Sequence, residues 1–420
     1  MTEAERLHDV LRREAPAAAR CLSPLGLRAA FPRGIPFQTA QARSTEINAT
    51  IGQVTDDHGA PMALSGMTDA LSGVDAKMAW LYPPAEGHLA LRQAWAARQR
   101  GMGLGSDAVM STPMVVHGLT QGVSLVADLF ADPDTDVFIP DPCWENYHLV
   151  FQFRPGANVV SYPFFRDGRF NLEGLADALA ASTAKKAVIV LNFPSNPTGY
   201  TPTVAEGQRI AEVVLAYPGP AVVLCDDAYQ GMVWEDGLLA RSLYWDLAER
   251  ADPERLLVVK TDGATKELFF FGGRMAFLSA SVSGAAEDAL LSKWKCIARS
   301  TNGVCAGPSQ ALVLKELADP RLEADVADRL AMLARRWRAL TDALMAARSD
   351  KLDPFPSNSG VFSMVRLHGT DAEALRARLI TEFSVGTIAL PSVNALRIAF
   401  CSVPEAMLPE LVRRLQRAVA

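Results

Sequence analysis

The sequence predicts an α/β protein with a mostly parallel central sheet in a large domain and a second, small α+β domain. Three observations lead there. From about Met110 to Val282, short β-branched or aliphatic runs end in Gly, Asn, Asp or Pro and give way to helical patterns, the alternation that builds a parallel sheet. The runs are almost continuously apolar, as strands covered on both faces must be. After Pro308 the pattern changes to one long amphipathic stretch followed by short strands and helices.

Taken in order, strands are expected at Met114-Val115-Val116, Val137-Phe138-Ile139, Ala187 to Leu191, Ala221 to Cys225, Leu256 to Val259 and Met275 to Leu278. Helical spacing lies between several of them, as in Val204 to Ala216. Leu322, Val326, Leu330, Leu333, Trp337, Leu340 and Leu344 then recur at steps of four and three, which predicts a long helix leaving the sheet domain. A strand at Val361 to Leu367, a helix near Asp371 to Phe383, a strand at Ala395 to Phe400 and a helix from Pro404 onward suffice for the small domain. The first 58 residues are too few to fold alone. The large domain is therefore expected over residues 59–305, and the small one over 1–58 together with 306–420.

Composition narrows the function. The 420 residues are 49% hydrophobic and 21% charged, which excludes a disordered or low-complexity chain. With 41 Lys+Arg against 47 Asp+Glu the formal net charge is -6, and no basic block offers a footprint to nucleic acid or to an anionic membrane. No apolar run approaches the roughly 18 to 20 residues of a membrane span. The segment MTEAERLHDVLRR carries acids where a signal peptide has a basic start. Cys21, Cys143, Cys225, Cys296, Cys305 and Cys401 form no metal-ligand spacing and read as buried thiols of a reducing cytosol. A cytoplasmic protein without a metal is expected.

Polar residues just past the carboxyl ends of parallel strands lie where such sheets bind ligands, and the unusual residues fall there. Ala187 to Leu191 runs into Asn192-Phe-Pro-Ser-Asn196-Pro197-Thr198-Gly199-Tyr200, a tight loop set by prolines and a glycine. An Asn held there can donate its amide to a ligand oxygen, although read alone the segment is equally a turn. The next strand ends in Asp226-Asp227-Ala228-Tyr229, with a carboxylate and a phenol at the same edge. Acids at that position otherwise serve as helix caps. The following strand leads through Lys260-Thr261-Asp262-Gly263-Ala264-Thr265-Lys266 to Gly272-Gly273-Arg274.

Asn196, Asp226, Tyr229, Lys266 and Arg274 thus appear in order, each beyond an expected strand. To these the chain adds INATIGQVTDDHGAP (Ile47 to Pro61), YPPAEGHLALR (Tyr82 to Arg92), GLTQG (Gly118 to Gly122), DPCWENY (Asp141 to Tyr147), DDAYQG (Asp226 to Gly231) and LRIAF (Leu396 to Phe400). Over nearly its whole length it resembles the fold-type I pyridoxal-phosphate enzymes, specifically the aspartate/aromatic group of the class I/II aminotransferases. The resemblance implies pyridoxal 5'-phosphate as cofactor, an α-amino acid and a 2-oxo acid as substrates, and a homodimer with shared active sites.

The resemblance also implies roles that suit the residue types. Lys266 is the Schiff-base lysine and the general acid/base, since an amine must condense with the cofactor aldehyde and move the α-proton. Asp226 pairs with the pyridine nitrogen and keeps the ring an electron sink. Asn196 and Tyr229 hydrogen-bond the ring hydroxyl oxygen, and Trp144 stacks on the ring. Gly118, Leu119, Thr120, Thr265 and Arg274 bind the phosphate, joined by Tyr82 from the partner subunit. Arg397 grips the α-carboxylate in two parallel hydrogen bonds, with Arg366 on the neighbouring strand as its rival. Gly52, Asn196, Trp144 and Phe362 complete the substrate pocket, and Arg299 stands where a partner-subunit arginine reads a side-chain carboxylate.

Three departures accompany the resemblance. Gly263 replaces a phosphate-binding serine, Tyr147 replaces the histidine of aspartate-specific members, and the residues after Arg299 do not follow the usual pattern. Whether the substrate is acidic stays open. The departures at Gly263 and Tyr147 also admit an alternative: a pyridoxal-phosphate lyase or a β/γ-replacement, carbon–carbon bond-forming enzyme of specialised metabolism, acting on an amino acid with a leaving group.

Overall fold

The computed structural model describes residues 1–31, 34–103 and 105–420. After β1 (Ile47–Asn48) the chain lays down β2 (Met114–His117), β3 (Thr135–Asp141) and β4 (Asn158–Pro163), then a hairpin of β5 (Phe165–Arg166) and β6 (Arg169–Phe170). With β7 (Lys186–Leu191), β8 (Ala221–Asp226), β9 (Leu256–Asp262) and β10 (Met275–Ala280), a seven-stranded sheet forms in the order β2-β10-β9-β8-β7-β3-β4. β10 alone runs against its two neighbours, and the other pairings are parallel. This is the mostly parallel α/β sheet that the apolar runs predict.

Alternate residues of one strand enter different cores, which explains why the runs are apolar throughout. Val188, Val190, Val222 and Leu224 join one cluster, while Ile189, Leu191, Val223 and Cys225 join the other. β4 was not among the expected strands. It is an edge strand, paired with β3 alone, and most of its residues stay partly or fully exposed, so Ser and Asn break its apolar run.

The long amphipathic stretch forms the helix Leu322–Ala346, whose buried face includes Leu322, Val326, Leu333, Trp337, Leu340 and Leu344. Beyond it β11 (Leu352–Pro354), β12 (Phe362–Leu367), β13 (Val385–Gly386), β14 (Ile388–Leu390) and β15 (Ala395–Ala399) follow. Four of these make an antiparallel sheet in the order β11-β12-β15-β14, and β13 pairs in parallel with β1. Gln38, ahead of β1, holds β14 in turn: its side chain donates to Ala389 O at 3.2 Å and accepts from Ala389 N at 2.7 Å. The last helix starts later than expected, at Leu408–Val419, because Glu405–Met407 forms a 3₁₀ turn after Pro404.

The cysteines need a correction. Cys225, Cys305 and Cys401 are buried, but Cys21 and Cys296 are exposed and Cys143 is intermediate. Cys21 caps the short helix Pro16–Arg20, and Cys296 lies on the helix Gly284–Thr301, in which Trp294 and Ala298 are the buried residues. Among the described residues no helix is long and apolar enough to cross a membrane, and no cluster of His, Cys, Asp and Glu could hold a metal ion.

Candidate active site

The carboxyl ends of β7, β8 and β9 open onto a cavity of about 180 Å³. Leu119, Thr120, Trp144, Asn196, Asp226, Tyr229, Thr265, Lys266 and Arg274 line it, so nine residues singled out in the sequence meet in one place. Asn192 and Ala228 line it as well.

Asp226 is the last residue of β8 and is buried. Its Oδ2 accepts a hydrogen bond from Tyr147 Oη at 2.6 Å, and its Oδ1 has no hydrogen-bond partner among the described residues. Burial pushes its carboxyl up to about 6 against the pull of the Tyr147 bond, with Asp227 adding to the rise. Tyr147 is therefore the residue that orients the carboxylate, a role that its chemical type did not announce. Asn192, missed by sequence reasoning, braces the same strand end: its Nδ2 donates to Asp226 O at 2.8 Å and its Oδ1 accepts from Asn196 N at 2.9 Å. Its position at the end of an apolar run was the available signal.

Lys266 sits on a short helix, Ala264–Glu267, that follows β9. Its Nζ donates to Gly52 O at 3.4 Å and lies 5.4 and 5.1 Å from the ring centres of Tyr229 and Phe271. Burial, with Arg274 and Arg397 nearby, pulls its ammonium down to about 8. About a tenth of this amine is thus neutral at pH 7, far more than of an ordinary lysine.

At the other end of the cavity the helix Leu119–Phe130 begins. Gly118 caps it with φ of 74° and no side-chain hydrogen bond, and the first helical residues, Leu119 and Thr120, line the cavity. A Cβ on Gly118 would come within 2.6 Å of Arg274 Nη2, so the turn must be glycine for the guanidinium to lie over it. Thr265 Oγ1 donates to Met275 O at 2.8 Å. Gly263 has a packing reason: a Cβ there would meet Ala276 Cα at 2.5 Å, so the backbone of β10 occupies the space a serine needs.

Arg397 on β15 is 2% exposed. Its Nη1 donates to Asn196 Oδ1 at 3.1 Å and its Nη2 to Thr50 O at 2.8 Å, while its Nε has no hydrogen-bond partner among the described residues. The guanidinium stands 4.3 Å over the ring of Phe362, and that ring packs edge-on against Tyr229 at 5.7 Å. Gly52 is the point of contact with the ring, since a Cβ there would lie 2.5 Å from Phe362 Cζ. Arg397, Gly52, Phe362 and Asn196 are thereby brought together. Arg366, the rival, is exposed and rests over Phe355, with Cζ 4.5 Å from the ring centre. Tyr82 and Arg299 stand apart from these groups: Tyr82 is 95% exposed, and Arg299 lies on the exposed side of its helix.

A tyrosine aminotransferase of Klebsiella pneumoniae is 28% identical over 363 residues, 83% of this chain and 88% of that protein. A probable N-succinyldiaminopimelate aminotransferase DapC of Mycobacterium tuberculosis is 32% identical over 204 residues, 47% of this chain, and the match spans 49% of that relative's length. Among solved structures, an aminotransferase from Anaerococcus prevotii superposes with a TM-score of 0.80 at 22% identity, covering 95% of this chain and 99% of its own. A kynurenine aminotransferase of Pyrococcus horikoshii superposes at 0.79 with 18% identity, covering 96% and 97%. These likenesses give the fold-type I architecture. With the model of the aminotransferase class I and II family matching residues 45–415, the chain belongs to that family.

Proposed function

We infer that the chain is a pyridoxal 5'-phosphate-dependent aminotransferase that exchanges the amino group between an α-amino acid and a 2-oxo acid. The observation that carries this reading is the meeting, in one cavity, of the Lys266 amine and the unpaired Oδ1 of Asp226, beside an arginine with a free Nε. The residues fit the cofactor: Asp226 Oδ1 can accept from a ring N–H, and the glycine turn with Arg274 can hold a phosphate. Bound there, the cofactor would supply an aldehyde that condenses with amines and a ring that accepts the electrons left by the departing α-proton.

The chain's own residues do the rest. Lys266 Nζ, pulled down to about 8, supplies the neutral amine and takes the proton from the substrate Cα. Asp226, held by Tyr147, would offer its carboxylate to the ring nitrogen. Asn196 has its Oδ1 committed to Arg397, which leaves its amide Nδ2 to donate, with Tyr229, to the ring oxygen. Trp144, which lines the cavity, would cover the ring face. Leu119 and Thr120 at the helix start, with Thr265 and Arg274, receive the phosphate. Arg397 receives the α-carboxylate, and Gly52 and Phe362 bound the space beside it.

The partner is a second copy of the chain. Trp80, Leu81 and Tyr82 are 81%, 65% and 95% exposed in sequence, an apolar stretch that a homodimer would cover while bringing Tyr82 to the neighbouring phosphate site. Arg299 reaches a substrate side chain by the same route. Six free thiols suit a reducing, cytoplasmic setting. The two departures that favoured a lyase are accounted for by packing at Gly263 and by the Tyr147–Asp226 bond, and neither calls for a leaving group.

The test uses purified protein loaded with the cofactor and a panel of amino acids. One 2-oxo acid should form per site without an acceptor, with turnover once a second 2-oxo acid is added. Release of ammonia or of a side-chain fragment in place of the 2-oxo acid would overturn the reading.

A further inference from the structure

A buried charge cluster lies behind the site, and the proposed chemistry does not touch it. Lys260 on β9 has no exposed surface. Its Nζ donates to Gln99 Oε1 at 3.0 Å, lies 3.2 Å from Asp227 Oδ2 and donates to Asp262 Oδ2. Asp262 Oδ1 also accepts from Trp95 Nε1 at 2.6 Å. Gln99 then turns its Nε2 to Glu267 Oε2 at 3.2 Å, and Glu267 Oε1 accepts from Gly263 N at 3.1 Å. One cation faces three carboxylates that are 3%, 2% and 5% exposed. Charges so deep are costly unless paired, so an excess of carboxylates there asks for a reason.

The position of the cluster supplies one. Asp227 directly follows Asp226, and Glu267 directly follows Lys266. Asp226 and Lys266 line the cavity, whereas their neighbours turn away from it into the cluster. Each of the two segments therefore carries one residue for the site and one for Lys260. We propose that Lys260 is a positioning residue of the active site: by holding Asp227, Asp262 and, through Gln99, Glu267, its ammonium fixes both segments and sets the charge felt by Asp226 and Lys266. The inference rests on the roles given to those two residues above.

The electrostatics run in one direction. Burial already raises Asp226, and Asp227 raises it further. Burial also raises Asp227, and Lys260 works against that rise. Facing the cluster from the packed elements are Arg98, which opposes the rise of Glu267, and the thiol and phenol of Cys225 and Tyr244. Facing Lys266 are Asp226, Arg274, Arg397 and Cys401. Removing the Lys260 charge leaves the carboxylates uncompensated, so protons bind more tightly at Lys266 and Asp226. Removing the Asp227 charge does the opposite.

The experiment follows the absorbance of the cofactor–lysine adduct in loaded wild-type and variant protein from about pH 5 to about pH 10. Lys260→Met should raise the titration midpoint and Asp227→Asn should lower it, each by about half a pH unit or more. The double variant Lys260→Met/Asp227→Asn should return toward the wild-type value. In Lys260→Met, kcat should fall about tenfold with KM within about twofold, as suits a group that never meets substrate. If Lys260→Met does not fold, the near-isosteric Asp227→Asn and Asp262→Asn must still lower the midpoint. Midpoints that stay put, or that all move the same way, overturn the role of Lys260. Wild-type protein that forms no adduct and transaminates nothing overturns instead the reading of the site on which it rests.

Discussion

Lys260 and Lys266 stand at the two ends of one strand-to-helix turn and have opposite electrostatic fates. Lys260 is fully buried among Asp227, Asp262 and Glu267; although burial pulls its ammonium down, the carboxylates hold it above the ordinary lysine range. Lys266 is partly buried among aromatic rings, with Arg274 and Arg397 as neighbours, and falls to about 8. Burial lowers both, so the charges packed around each lysine are what separate them: acids outweigh burial at Lys260, whereas at Lys266 Arg274 and Arg397 add to it.

The contrast can be broken most directly at Lys266. Lys266→Ala should abolish the borohydride-reducible cofactor adduct and transamination, and peptide mass mapping of reduced wild type should find the cofactor on Lys266. An adduct on Lys260 would reverse the assignment of the two lysines. Asp226→Asn comes next: loss of the buried charge under the ring should slow α-proton exchange on the order of 100-fold or more, read by deuterium exchange at the substrate Cα.

Arg397→Lys should weaken substrate by about 1.5 to 3 kcal/mol, the value of a hydrogen bond to a charged group, because an ammonium cannot reproduce the two-point grip. The loss should appear in KM for the amino acid and shrink for its amide. Equal losses for acid and amide would assign the carboxylate to another group.

The pH dependence sharpens the comparison further. A lowered pKa means that Lys266 is protonated below about pH 8 and neutral above it. The rate of adduct formation in cofactor-free protein should therefore rise about tenfold per pH unit up to about 8 and then level. A rise that continues toward the ordinary lysine range would show that the surroundings do not depress it. The smallest effect is expected from Tyr147→Phe, which removes the donor to Asp226 Oδ2. About 1 to 2 kcal/mol should be lost in the rate with little change in KM, and cofactor affinity should weaken most at low pH, where an unsupported Asp226 takes up its proton first.

Much of the site was legible in the sequence because chemistry and position coincide there. Asn196, Asp226, Tyr229, Lys266 and Arg274 are polar residues placed just past apolar runs, and a parallel sheet puts all such ends on one edge. The long helix Leu322–Ala346 was equally plain, since its spacing is a property of the chain itself. Other features were not written locally. Nothing in the types of Tyr147 and Asn192 says that they hold Asp226, because their partners lie 79 and 34 residues away. Thr50 serves Arg397 through a main-chain carbonyl, to which side-chain chemistry gives no clue.

Gly263 and Lys260 show the same division. The glycine looked like a missing phosphate contact, and the tertiary structure makes it the place where β10 presses on the chain. Lys260 received no role from the sequence, and its meaning came with Gln99, Asp227 and Glu267 from other segments. By itself the sequence determined which residues end strands and what chemistry they carry, because periodicity and residue type are local. Which lysine becomes a buried cation and which a reactive amine was decided by the tertiary structure alone, because the neighbouring charges that set proton affinity come together only when distant segments pack.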